Sequence, residues 1–100
     1  MKREYVIYHA PISVSYTFMN FKYALKHDWK LGDYVPVWRG NIESETVDEA
    51  LDKLFYIFNM DRPKEFCGRS MSVSDVVMLD GKYYYCDSFG WSECQPERGD

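Results

Sequence analysis

Apolar and polar residues alternate along the chain in blocks that change period several times. Tyr5, Val6, Ile7 and Tyr8 form a β-branched and aromatic run that halts before Pro11, which predicts a first strand over residues 4–10. From Tyr16 to His27 the period lengthens. Phe18, Phe21 and Leu25 recur at helical spacing while Lys22 and Lys26 sit four apart on a solvated face, so a first helix is expected, with Tyr16, Met19 and Tyr23 as a second stripe. Gly32-Asp33 reads as a turn, and residues 34–40 as a strand of large alternating side chains. Pro36 cannot donate to a ladder, which puts this strand at an edge or a bulge.

The next helix announces itself. Thr46 with Glu49 three residues later makes a capping box, and Val47, Ala50, Leu51, Leu54, Phe55 and Phe58 follow at one helical face. Asn59 and Met60 end it, because the residue before Pro63 avoids the helical region. Residues 64–71 read as a loop. Residues 74–79 and 82–86 then flank Asp80-Gly81, the pairing of choice for a type I′ hairpin. Residues 91–94 extend the sheet, and 95–100 form a polar tail.

These elements add up to a single α+β domain over residues 1–94, in the order β-α-β-α-β-β, with a mainly antiparallel sheet and two helices on one face. Tyr5, Tyr8, Phe18, Phe21, Phe55, Phe58 and Phe89 are the expected aromatic core. Tyr83, Tyr84 and Tyr85 are consecutive on one strand, so at least one should face away from that core. Composition agrees with a folded domain: 46% of the 100 residues are hydrophobic and 18% aromatic, well beyond a disordered segment.

A formal net charge of -4 with scattered Lys and Arg argues against direct nucleic-acid binding, which needs clustered basic residues. No apolar run is long enough for a membrane span, and the basic start leads into only a short apolar run, so a soluble cytoplasmic protein is expected. Cys67, Cys86 and Cys94 make an odd set without a C-x-x-C pair, which predicts free thiols, with Cys86 buried in its strand.

Candidate chemistry is sparse. His9 ends the first strand and His27 the first helix, both far in sequence from the serines at 70, 72 and 74. Those hydroxyls are expected to satisfy loop and strand-end backbone groups, with Asp75 and Asp87 holding the entry and exit of the hairpin. Arg69 has three candidate uses: pairing with Asp61, pairing with Asp75, or contacting a partner. Cys67 lies near Lys64 and Arg69, which would favour a thiolate, yet no base or orienting group accompanies it. No spacing of Cys, His or carboxylates suggests a metal, and no cofactor is expected.

What stands out instead is the surface. Glu43, Glu45, Asp48, Glu49 and Asp52 are grouped with no Lys or Arg among residues 43–52, which reads either as a dipole-stabilised helix start or as a negative patch for a partner. Trp29, Trp38 and Trp91 are not all needed inside, and Trp91 joins Arg69 and these acids as the candidate protein-binding residues.

The run Phe58-Asn59-Met60-Asp61-Arg62-Pro63, then Glu65-Phe66 and Gly68, the segment from Ser70 to Val77, and Tyr85-Cys86-Asp87-Ser88-Phe89-Gly90 together resemble the YodL-like domain family. The strand at Tyr34 to Gly40, ahead of a capped helix, is similar too. Where many members carry His around the loop glycine, this chain has Cys67 and Arg69, so the resemblance transfers no acid-base or metal role there. It implies an accessory protein of conjugative elements or phages, with no catalytic motif. The expected function is non-enzymatic binding of a bacterial host protein, with a CRISPR effector or restriction nuclease as the target to be inhibited. The alternative is a regulatory adaptor or homodimerising module acting on host physiology.

Overall fold

The computed structural model describes residues 1–66 and 68–95. Five strands form one antiparallel sheet: β1 (Lys2–His9), β2 (Val35–Glu43), β3 (Val76–Leu79), β4 (Lys82–Cys86) and β5 (Trp91–Cys94), in the spatial order β2-β1-β3-β4-β5. The helices are α1 (Phe21–Lys26) and α2 (Val47–Met60), with a 3-10 turn at Leu31–Asp33. The α+β class, the antiparallel sheet and the element order are those expected, with β5 as the added strand. Residues 96–100 of the expected polar tail, like Cys67, lie outside the described residues.

Local chemistry explains most boundaries. The Thr46 hydroxyl accepts the Glu49 N–H at 3.1 Å, and the Glu49 carboxylate accepts the Glu45 N–H at 2.9 Å, a capping box displaced by one residue on its return arm. Asp80 and Gly81 have φ of +52° and +84°, the two positive values that a type I′ turn needs. Pro36 lies on an edge strand, and the pairing of β1 with β2 slips between Ile7 and Tyr8 to pass it.

Two expectations are corrected. The first helix begins at Phe21 rather than near Tyr16, because Phe18 adopts φ +68° and the Asn20 side chain caps the Tyr23 N–H at 2.8 Å. The Phe18 N–H is taken by the Ser74 hydroxyl at 2.9 Å, which fixes residues 11–19 as successive turns. The helices also lie on opposite faces of the sheet. Alternate strand residues point to opposite sides, and α2 buries Leu51, Leu54 and Phe58 against Tyr5, Ile7, Val77, Leu79 and Tyr84. On the other side Ala24 of α1, with Tyr16 and Tyr34, packs on Val76, Tyr85 and Cys94. Covering both faces explains why the adjacent Tyr84 and Tyr85 are both buried.

Of the aromatic core, Tyr5 and Phe58 are buried as expected, whereas Phe18, Phe55 and Phe89 are exposed. An unforeseen brace stands at the other end. Arg3 donates to Ser44 Oγ at 2.9 Å, to Asp80 Oδ2 at 2.7 Å and to the Glu45 carbonyl at 3.1 Å, tying β1 to the hairpin turn and the lead into α2.

Candidate protein-binding site

α2 presents two exposed rows beside its buried one. Asp48, Asp52 and Phe55 follow at i, i+4 and i+7 on the side toward β5, while Glu49, Lys53 and Tyr56 run toward β2. The first row borders a cleft of about 260 Å³ whose other wall is the turn between β4 and β5, with Asp87, Ser88, Gly90 and Trp91, and whose floor includes Val73 and Cys86. Asp48 adjoins the same wall at Trp91 and Gly90.

The turn is built around one carboxylate. Asp87 accepts the Phe21 N–H at 3.2 Å, the Ser88 N–H at 2.8 Å and the Ser92 hydroxyl at 2.8 Å, and its own N–H donates to the Gly90 carbonyl at 2.9 Å. Burial pushes the Asp87 pKa up, but the hydrogen bonds from Ser92, Ser88 and Phe21 outweigh it and hold the carboxyl below its ordinary range. Asp87 therefore stays charged at the cleft rim. Gly90 takes φ +80° to close the turn, and this leaves Phe89 98% exposed at its tip while the half-buried Trp91 leans on the core.

The structure sorts the residues singled out from sequence. Asp48, Asp52 and Trp91 come together at a hollow that adjoins the cleft. Glu43, Glu45 and Glu49 do not line it: Glu43 Oε1 meets the N-terminal ammonium at 2.7 Å, and Glu49 serves the cap and lies 3.8 Å from Lys53. The hydrogen bond and charge of that ammonium lower the pKa of Glu43. Phe55, Asp87 and Phe89 were not foreseen as surface residues. The i+7 relation of Phe55 to Asp48 carries a signal for the first, and the Phe89-Gly90 turn pair carries one for the last.

Arg69 is directed inward. Its guanidinium donates to both oxygens of Asp75, at 2.8 and 2.7 Å, and to the Ala10 carbonyl at 3.1 Å, while its cationic carbon lies 5.2 Å from the Phe18 ring centroid. Asp75, fully buried, also accepts the Ser72 N–H at 2.8 Å and the Ala10 N–H at 3.4 Å. Of the three uses weighed for Arg69, the pairing with Asp75 is the one formed. His9 completes the cluster from the end of β1, with Nε2 3.6 Å from Asp75 Oδ2 and no hydrogen-bond partner among the described residues. Desolvation lowers its pKa, against the pull of Asp75 and together with Arg69, so the imidazole is neutral near pH 7 and the contact is not an ion pair.

Ser72, Ser74 and the two described thiols are hydrogen-bonded or buried. The Ser74 hydroxyl accepts the Phe18 N–H and its carbonyl accepts the Tyr34 hydroxyl, while Ser72 Oγ donates to the Ser70 carbonyl at 3.4 Å. Burial pushes the thiols of Cys86 and Cys94 up to about 12. Among the described residues no group of His, Cys, Asp and Glu is arranged to hold a metal ion, and no helix is long and apolar enough to cross a membrane.

A family model described as the YodL-like domain matches residues 5–96. Neither the curated proteins nor the solved structures give a match. With nearly the whole chain covered, from the first strand past β5, this protein belongs to the YodL-like domain family.

Proposed function

We propose that this chain is a non-enzymatic accessory protein of mobile DNA that acts by binding a host protein, and that the bound protein is a defence nuclease of the CRISPR or restriction type, which it inhibits. The observation that carries the reading is the meeting of Asp48, Asp52 and Trp91 at one hollow, which adjoins through Asp52 and Trp91 the cleft at Asp87, with Phe89 outward on the same turn.

Carboxylates one helical turn apart, with Cβ atoms about 5–6 Å from each other, offer a row of negative charge to a groove built for phosphates. Such a row speeds encounter with a basic surface, and rim aromatics supply the apolar anchor that charge alone lacks. The non-enzymatic part is supported by the inward commitment of Arg69, Asp75 and the serines, and by the raised pKa of the two described thiols.

Affinity capture from a bacterial host carrying such a nuclease tests the proposal. The wild-type chain is expected to retain the nuclease, and an Asp48→Asn, Asp52→Asn, Trp91→Ala variant that still unfolds cooperatively is expected to lose it. Retention of no nuclease, or equal retention by the variant, would overturn it.

A further inference from the structure

β2 is the long free edge of the sheet, with no described strand beyond it. Its backbone groups alternate in direction. The Ser44 N–H donates to the Met1 carbonyl at 3.0 Å, and the Glu4 carbonyl turns to the Asp80 N–H at 3.2 Å, so Ile42 and Gly40 bond toward β1 while Glu43, Asn41 and Arg39 point outward. Lys53 Nζ, which reaches the Glu43 carbonyl at 2.9 Å, agrees with that direction. Pro36 and the adjoining register slip confine the regular edge to residues 39–43. A row of outward N–H and C=O groups is a template for another strand.

We propose that a second copy of this chain pairs antiparallel with β2 about a two-fold axis at Asn41. The choice of axis follows from charge. An axis at Arg39 would set two arginines face to face, and one at Gly40 would put Arg39 opposite Asn41 and pair no charges. An axis at Asn41 sets each Arg39 opposite Glu43 of the partner subunit, twice by symmetry, and forms about six backbone hydrogen bonds. Glu43 holds the N-terminal ammonium through Oε1, and its Oε2 is within reach of an opposing guanidinium. Beside this edge the Lys53 row of α2 carries Tyr56, 62% exposed, over a depression of about 510 Å³ that the second copy would cover. Asp52 borders both that depression and the cleft, whereas Asp87, Gly90 and Trp91 line the cleft alone.

Sedimentation over a concentration series, with charge-swap and cysteine variants in a Cys67→Ser background, tests this register. The parent chain is expected to dimerise. Arg39→Glu or Glu43→Arg alone is expected to weaken the dimer by about tenfold, and the two together to restore it. Asn41→Cys is expected to oxidise to a linked dimer, since Cα atoms of a hydrogen-bonded antiparallel pair stand about 5.5 Å apart, within disulfide reach. Arg39→Cys would lie about 13 Å from its copy and is expected to stay unlinked. A monomer up to high micromolar concentration, a dimer indifferent to both charge reversals, or equal linking at the two cysteine positions would overturn the proposal.

Discussion

Replacing Arg69 by Met strands a buried charge. Asp75 is 0% exposed and takes two short bonds from a guanidinium that is itself 30% exposed, so the partners are unequal: Arg69 can turn to water and Asp75 cannot. Removing one member of such a pair costs about 3–5 kcal/mol, against about 5–15 kcal/mol for the stability of a whole small domain. The Ser72 and Ala10 N–H groups still reach Asp75, which sets the expectation near the lower bound, about 3 kcal/mol. Arg69→Met also loses the bond to the Ala10 carbonyl and the contact over Phe18, and these losses persist in Arg69→Met/Asp75→Asn. The double variant has no stranded charge but keeps one acceptor oxygen in place of two for the Ser72 and Ala10 N–H groups, so it should recover about 1 kcal/mol.

Urea unfolding at 25 °C measures both values. pH supplies an internal control: without Arg69 the neighbouring His9 loses a repulsive charge and can protonate beside Asp75, so the deficit of Arg69→Met should shrink between about pH 8 and about pH 5.5. An Arg69→Met variant within about 1 kcal/mol of wild type, or a double variant less stable than the single, would refute a buried ion pair as the brace of this loop.

In the wild-type chain the His9 pKa is lowered below 6.5 by burial, so the unfolded chain binds the proton more readily and stability should decline as pH falls below about 6.5; in His9→Gln the part of the decline due to His9 should vanish, and an unchanged slope would argue against it. Gly81→Ala meets no atom within 4 Å but must hold φ +84°, so thermal unfolding should report a loss of about 1–2 kcal/mol from backbone strain alone, and no loss would contradict the type I′ turn. Cys86 and Cys94, with thiols pushed up to about 12, should react with a maleimide only on unfolding; fast labelling of either in the native chain, followed by mass spectrometry, would contradict their burial.

Elements whose cause is local were readable in the sequence. The Thr46 cap, the α2 stripe, the Asp80-Gly81 turn and the edge position of Pro36 each depend on residues a few positions apart, and each stands where expected. Failures came where distant residues decide. The first helix loses its opening turns because Ser74, more than fifty residues away, takes the Phe18 N–H. Helical periodicity marks an apolar stripe but not which side of a sheet receives it, so the placement of α1 and α2 on opposite faces was invisible. The cleft is similar. The acidic run 43–52 was evident, but helix geometry splits it into a row beside Trp91 and a row beside β2, and only the folded chain brings Asp87 and Phe89 to the first. His9 ends a strand on local grounds alone, and its position against Asp75 depends on β1 pairing with β3.

A plasmid-retention experiment in cells carrying a CRISPR or restriction nuclease joins the surface to the biological role. Cells expressing the wild-type chain should keep a targeted plasmid, and cells expressing the folded Asp48→Asn, Asp52→Asn, Trp91→Ala variant should lose it as fast as cells without the protein. Loss of the plasmid in the presence of the wild-type chain, or equal protection by the variant, would contradict an inhibitor that works through the acidic and aromatic cleft.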